Sequence, residues 1–167
     1  DVSNFTCSDI GANTVTVTVT DSLGNSSSCA AVVTVKDSLA PVMACKNITV
    51  QLDANGDASI LASDVDDGSI DNCAIDSLGI DQTDFDCSHL GVNSVTLTAI
   101  DNEGNSANCT AIVTVEDTVD PVAACQPMTL YLDANGVVNA SASDLDAGST
   151  DNCSIDRLEL NFTQFDC

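Results

Sequence analysis

The chain has 167 residues, 26 of them acidic and 3 basic, for a formal net charge of −23. Such a charge repels a phosphate backbone and an anionic membrane surface, which excludes nucleic acid as a partner and disfavours lipid. It also opposes compaction, so a folded form recruits cations or spreads along an extended shape. Apolar residues, at 44% and regularly patterned, argue against disorder.

Residues 1–87 return as 81–167 at an offset of 80 without a gap. Asp-Ser-Leu-Gly-Asn-Ser-Ser-Ser-Cys at 21–29 becomes Asp-Asn-Glu-Gly-Asn-Ser-Ala-Asn-Cys at 101–109, and Asp-Asn-Cys at 71–73 returns at 151–153. A fixed period is the mark of an array, and arrays serve fibres, stalks and adhesins more often than enzymes.

In chain order, the first predicted strand spans 13–20, where Val15, Val17 and Val19 share one face and threonines the other. An Asp-x-x-Gly-Asn turn leads to a second strand with Ala31, Val33 and Val35 inward. Val95, Leu97 and Ala99, then Ala111, Val113 and Val115, repeat both in the next copy. β-Branched residues at period two with Gly/Asn turns predict antiparallel sheet. Val-Lys-Asp-Ser-Leu-Ala-Pro at 35–41, repeated as Val-Glu-Asp-Thr-Val-Asp-Pro at 115–121, closes each strand on a proline that stiffens the joint.

The joints divide the chain into a C-terminal half repeat (1–39), a complete repeat (40–119) and an N-terminal half repeat (120–167). Further strands are predicted at 47–52 and 127–132, before Asp-Ala-Asn-Gly turns, and around 75–81, and no segment shows a period of 3.6. About seven short strands per repeat, each with one apolar face, predict an all-β fold of tandem immunoglobulin-like β-sandwiches.

An 80-residue unit with few aromatics has too small a core to stand alone, and nine cysteines supply staples. Cys7, Cys29, Cys45 and Cys73 recur as Cys87, Cys109, Cys125 and Cys153, and Cys167 opens a third set, a disulfide framework made in an oxidising compartment. No CxxC exists, and the one histidine, His89, is Asp9 in the other copy, so zinc is not expected. Cys109 shares the parity of Ala111 and Val113, and Cys45 lies just before the first strand of the same repeat. Pairing them closes a long loop, for about 4 kcal/mol in the chain-entropy model. Cys73 with Cys87, and Cys153 with Cys167, then close local loops, although four cysteines allow three connectivities. Cys7, Cys29 and Cys125 remain for pairing with another protomer or with continuing chain. The two half repeats complement each other, which predicts a head-to-tail filament, either a longer covalent polymer or protomers joined by strand complementation.

Asp64, Asp66 and Asp71 recur as Asp144, Asp146 and Asp151 around Gly68 and Gly148. Oxygen ligands on alternate residues around a glycine suit Ca²⁺, which takes six to eight oxygens, although the closing Glu and flanking helices of an EF-hand are missing. The same aspartates also serve as turn formers. A second candidate site is the joint, at Asp37 or at Asp117 with Glu116 beside it. No catalytic site is predicted: there is no Gly-x-Ser-x-Gly elbow, and Lys36 and Lys46 become Glu116 and Gln126, which removes support for a repeated Lys–Asn isopeptide bond.

N-x-Ser/Thr sequons at Asn4, Asn25, Asn47, Asn108, Asn139, Asn152 and Asn161 are glycosylation candidates, with Asn108 and Asn152 hard to reach beside cysteines. Asp-Ser/Thr-apolar triplets at Ser22, Ser38, Ser77 and Thr118 resemble the O-glycosylation motif of exported Bacteroidetes proteins. No apolar run approaches the roughly 20 residues of a membrane span. The sequence begins at Asp1 with no charged n-region or apolar h-region, so a signal peptide, if there was one, has been removed or lies upstream.

The succession Val-x-Asp-x-x-x-Pro, Cys, Leu-Asp-x-x-Gly, Asp-Asn-Cys, Phe-x-Cys, Leu-Gly-x-Asn-x-Val-Thr-Leu, Asp-x-x-Gly-Asn and a final Cys resembles bacterial surface repeats related to the hyalin repeat, an immunoglobulin-like domain. The Asp-x-x-Gly-Asn turn and the cysteine after it match best, whereas the Asp-Asn-Cys loop departs from the animal repeats and is closer to secreted Bacteroidetes proteins. The resemblance implies adhesion or matrix building without catalytic residues. The expectation is therefore an extracellular or cell-surface structural protein whose partners are copies of itself, with attached glycans. The alternatives are the stalk of an adhesin that binds glycan or protein, and an accessory repeat of a secreted enzyme.

Overall fold

Strands form where β-branched residues alternate, and they end where an aspartate and a glycine reverse the chain. The computed structural model describes residues 4–166 and is predominantly β. A 3₁₀ turn at Cys7–Asp9 leads into β1 (Gly11–Thr20), which pairs antiparallel with β2 (Ser26–Val35), from Gly11 opposite Val35 to Thr20 opposite Ser26. In the connecting turn Asp21 Oδ1 accepts from the N–H of Leu23 and of Asn25, and Asn25 Nδ2 donates to Oδ2 at 2.8 Å. Gly24 supplies the positive φ of +92° that this turn demands. Asp101 builds the same turn with Glu103 and Asn105 in the next copy.

The middle of the chain contributes β3 (Ile48–Gln51), β4 (Asp57–Ser59), the single helical turn α1 (Ala62–Val65), β5 (Ile75–Ile80), β6 (Asp84–Asp86), a 3₁₀ turn at Cys87–His89, β7 (Gly91–Asp101) and β8 (Ser106–Glu116). Four of these strands make one sheet in the order β3-β8-β7-β5, and β4 pairs with β6. After residue 120 come β9 (Val137–Asn139), α2 (Ala142–Leu145) and β10 (Gln164–Asp166), with β9 and β10 paired.

The chain falls into two compact units. The first holds the residues up to Ile48 with Leu61–Gln82 and Ser94–Ile112, and its buried side chains include the apolar Val65, Val95, Leu97, Ala99 and Ala111 and the charged Asp101. The second holds Thr49–Ile60, Thr83–Asn93 and the residues from Val113 onward, around Leu52, Ile60, Phe85, Val113, Val115 and Ala140.

Four expectations change. Residues 40–119 contain six strands rather than seven, the first of them, β3, falling within the predicted segment 47–52. Segment 127–132 is not a strand: its counterpart β3 sits beside β8 in the sheet, and no equivalent of β8 follows 127–132 within the 167 residues. Val17 and Val19 do not face a core but are 50% and 68% exposed, because the elements that cover Leu97 and Ala99 have no counterpart over β1. α1 and α2 are helical, yet at four residues each they are too short to show a period of 3.6.

Candidate functional site

Side-chain hydrogen bonds and disulfides concentrate around the tripeptide Asp-Asn-Cys, which recurs at 71–73 and 151–153 and ties back to the hinge segments 35–41 and 115–121, the two joints. At 71–73, Asp71 Oδ2 accepts from the N–H of Cys73 and Ala74 at 2.8 and 3.1 Å, an Asx turn that fixes the two residues after it. Asn72 then donates from Nδ2 to Asp37 Oδ2 at 3.0 Å, and Asp37 is itself anchored by the N–H of Leu39 on its Oδ1. Cys73 is bonded to Cys7. The Asp37 carbonyl accepts from Asn105 Nδ2, which ties the joint to the Asp101 turn.

The second joint repeats the Asx turn, the Asn–Asp hydrogen bond and the disulfide, without a counterpart of the Asn105 bond among the described residues. Asp151 Oδ2 accepts from Cys153 and Ser154, Asn152 Nδ2 donates to Asp117 Oδ1 at 3.0 Å, Asp117 Oδ1 also accepts from Val119, and Cys153 is bonded to Cys87. Here Asn152 Nδ2 also donates to the Asp53 carbonyl, and Gly56 packs so closely that a Cβ would lie 2.8 Å from both the Asn152 carbonyl oxygen and Cys87 Sγ.

The pairing corrects three expectations. Cys73 and Cys87 do not bond to each other; each crosses a joint, to Cys7 and Cys153 respectively. Cys153 is thereby committed away from Cys167, which lies outside the described residues, and Cys7 is not left over. The physical reason is the Asx turn, which aims each Asp-Asn-Cys cysteine at the neighbouring repeat. Cys45 is bonded to Cys109 within one repeat. Cys29 and Cys125, the repeat equivalents of Cys109 and Cys45, are free and exposed. Three disulfides fit folding in an oxidising compartment.

The acidic loops arrange differently from the predicted calcium set. Asp64 Oδ2 accepts from the Leu61 N–H and Asp66 accepts from Gly68 and Ser69, while Asp144 and Asp146 do the same with Ser141, Gly148 and Ser149. These carboxylates spend their oxygens on their own loops. Hydrogen bonds from Ser69 and Ser149 are the largest cause holding Asp66 and Asp146 below the ordinary carboxylate value. Among the described residues the carboxylates that converge are Asp37, Asp71 and Asp101, each with an oxygen within 4.8 Å of the others.

Asp101 is buried, and although that burial pushes its pKa up, hydrogen bonds from Asn105, Glu103 and Gly104 together hold it below 3.8, so it stays anionic. Asp71 Oδ1 is buried with no hydrogen-bond partner. Hard oxygens, close like charges and an orphaned acceptor fit a divalent cation, with three carboxylates supplying part of the six to eight oxygens Ca²⁺ takes. At the second joint Asp117 and Asp151 hold the equivalent places, and the orphaned buried oxygen there is Asn152 Oδ1. Glu116 is exposed.

The other predicted residues are scattered. Asn4, Asn25, Asn47, Asn108, Asn139 and Asn161 are exposed, as are Ser22, Ser38, Ser77 and Thr118. Asn152 is half-buried with its amide engaged twice in the joint, which makes it a poor glycan acceptor. His89 meets Asp86 at 2.8 Å and packs edge-on against Phe85, a local contact that closes its 3₁₀ turn. Among the described residues no helix is long and apolar enough to cross a membrane.

Sequence reasoning assigned no role to Asn72, Asn105, Gly56 or Asp101 in the joint and took Asn152 for a sequon. Their common signal is recurrence: Asp-Asn-Cys is identical in both copies although nothing in its own loop requires the asparagine. No protein-family model matches the chain, and no curated protein matches it.

Proposed function

We propose that this chain is a structural element of an extracellular filament, built head to tail from immunoglobulin-like sandwich repeats of about 80 residues related to the hyalin repeat. The single observation that carries this reading is the joint, which recurs with the same disulfide and the same Asn–Asp hydrogen bond on both sides of residues 40–119. A connection whose geometry repeats at every step generates an array, and an array that does not close on itself is a fibre. Residues 1–39 and 120–167 are the half repeats that neighbouring copies, or continuing chain, complete. Ca²⁺ held by Asp37, Asp71 and Asp101 neutralises part of the −23 charge and stiffens the joint. Oxidising, glycan-bearing surroundings outside the cell suit the disulfides and the exposed sequons.

Electron microscopy of the purified chain at increasing concentration, and of native material, tests the reading. Filaments with an axial repeat that is a multiple of one module are expected. Discrete monomers at every concentration and in native material overturn it.

A further inference from the structure

We propose that β1 and β2 of one copy insert as a hairpin into the 120–166 half of another, between segments 128–131 and 155–160, and that Cys29 then bonds to Cys125 across the two copies. This rests on the head-to-tail reading and names the surface and register that reading uses.

The central repeat supplies the template. There β8 lies between β3 and β7, and β7 between β8 and β5. At an offset of 80, β2 and β1 hold the places of β8 and β7, and segments 128–131 and 155–160 hold those of β3 and β5. The β1–β2 sheet has only two strands, so both its outer edges present unpaired backbone, while neither 128–131 nor 155–160 is a strand. Each side has what the other lacks, and adding strands to an open edge satisfies both.

Side chains select the same register. Leu97 and Ala99 are fully buried, whereas their counterparts Val17 and Val19 are exposed. On the opposite side Leu52 and Phe85 are buried, whereas Leu132 and Phe165 are 46% and 43% exposed. Docking the hairpin covers both apolar faces, which supplies the driving force. The cysteines make the third match: Cys45 and Cys109 are bonded, and Cys125 and Cys29, which hold their places, are the two free cysteines among the described residues. One bond of the template is not reproduced, because Asn47, whose Oδ1 accepts from the Ile112 N–H, is replaced by Pro127.

The covalent step is a thiol–disulfide exchange. A Cys29 or Cys125 thiolate attacks a small-molecule disulfide, and the remaining thiolate displaces the small thiol from the mixed disulfide. One protein S–S bond forms and the small disulfide's S–S bond breaks, the two electrons and the two protons of the protein thiols passing to it to give two small thiols. Because both faces belong to an acidic chain, docking is favoured by salt that screens their repulsion.

The test mixes unlabelled and ¹⁵N-labelled 167-residue chain at raised ionic strength with oxidised and reduced glutathione, then maps disulfides by mass spectrometry of the unreduced digest. A Cys29–Cys125 peptide pair carrying one labelled and one unlabelled half is expected, with a ladder of multimers on a non-reducing gel. Cys29→Ser and Cys125→Ser should each remove the ladder while keeping the three intrachain disulfides. Val17→Asp, at a position exposed in the single chain, should remove both the ladder and sedimenting assemblies. Filaments whose links are Cys29–Cys29 or Cys125–Cys125, or Cys29–Cys125 pairs that never mix labels, overturn the inference while leaving the filament reading standing. A chain that stays monomeric with both thiols free overturns the two together.

Discussion

Asn72 donates a hydrogen bond to the carboxylate of Asp37 at 3.0 Å, and 80 residues later Asn152 donates one to Asp117 at the same distance. Each pair spans 35 positions of sequence and ties an Asp-Asn-Cys loop to an aspartate four residues before a proline, Pro41 or Pro121. Because the acceptor is a carboxylate, truncating the donor leaves a charge with only its backbone donor, Leu39 or Val119. Asn152→Ala is predicted to lower unfolding stability by about 1–3 kcal/mol, and the more exposed Asn72→Ala by about 1 kcal/mol. Denaturant titrations of the two variants check this. Because the same amide is engaged, Asn152 is also predicted to stay unmodified in native material whose exposed sequons carry glycan, which glycopeptide mapping would read directly.

Gly56 and Gly68 give a matched comparison of crowding. Both have positive φ, +83° and +90°, so alanine strains the backbone similarly at each. Only at Gly56 does the new Cβ meet the Asn152 carbonyl and Cys87 Sγ at 2.8 Å, whereas at Gly68 it meets open space. Gly56→Ala should therefore cost about 1–3 kcal/mol more than Gly68→Ala, the usual penalty for forcing extra volume into a packed site. Equal losses of stability in the two variants would place the staple farther from Gly56 than described.

The turns set the acid limit of the fold. Asp53 is held below 3.8 by the N–H groups of Asp57 and Asn55, and Asp133 by those of Val137 and Asn135. In each case the folded carboxyl has the lower pKa, so the unfolded chain binds the proton more readily. The stabilisation is fully present above about pH 3.8 and is lost as pH falls through the folded values. Relief of repulsion among the acidic residues has the opposite sign and acts as they begin to protonate. The denaturant midpoint is thus predicted to drop below about pH 3.8, and the drop should be smaller in Asp53→Asn, which keeps the acceptor oxygen without titrating.

Much of the fold is legible in the sequence because its signals are local. Val95, Leu97 and Ala99 alternate with residues that are not buried, and Asp101 is followed by the glycine and asparagine its turn uses. The joint is harder to read because its partners are remote. Cys73 lies nearer in sequence to Cys87 than to Cys7, so spacing favours the wrong partner, and only the Asx turn at Asp71 redirects it. Asp37, Asp71 and Asp101 converge through three separate elements, whereas Asp64, Asp66 and Asp71, adjacent in sequence and regular in spacing, do not. Segments 127–132 and 155–160 have strand-forming side chains yet no neighbour to pair with, since a strand is completed by its sheet and not by its own residues.

Calcium should act at the joint. Adding Ca²⁺ is predicted to raise the melting temperature and a chelator to reverse the rise, with Asp71→Asn removing most of the increment while keeping the turn to Cys73 and Ala74. A melting temperature indifferent to both additions, or an increment unchanged in Asp71→Asn, would remove the cation from the joint.

Covalent connection across each joint is tested most directly by mass spectrometry of an unreduced proteolytic digest of the full chain. Linked peptides Cys7–Cys73 and Cys87–Cys153 are predicted beside Cys45–Cys109. A Cys73–Cys87 peptide in their place would close each repeat on itself and contradict the stapled joint.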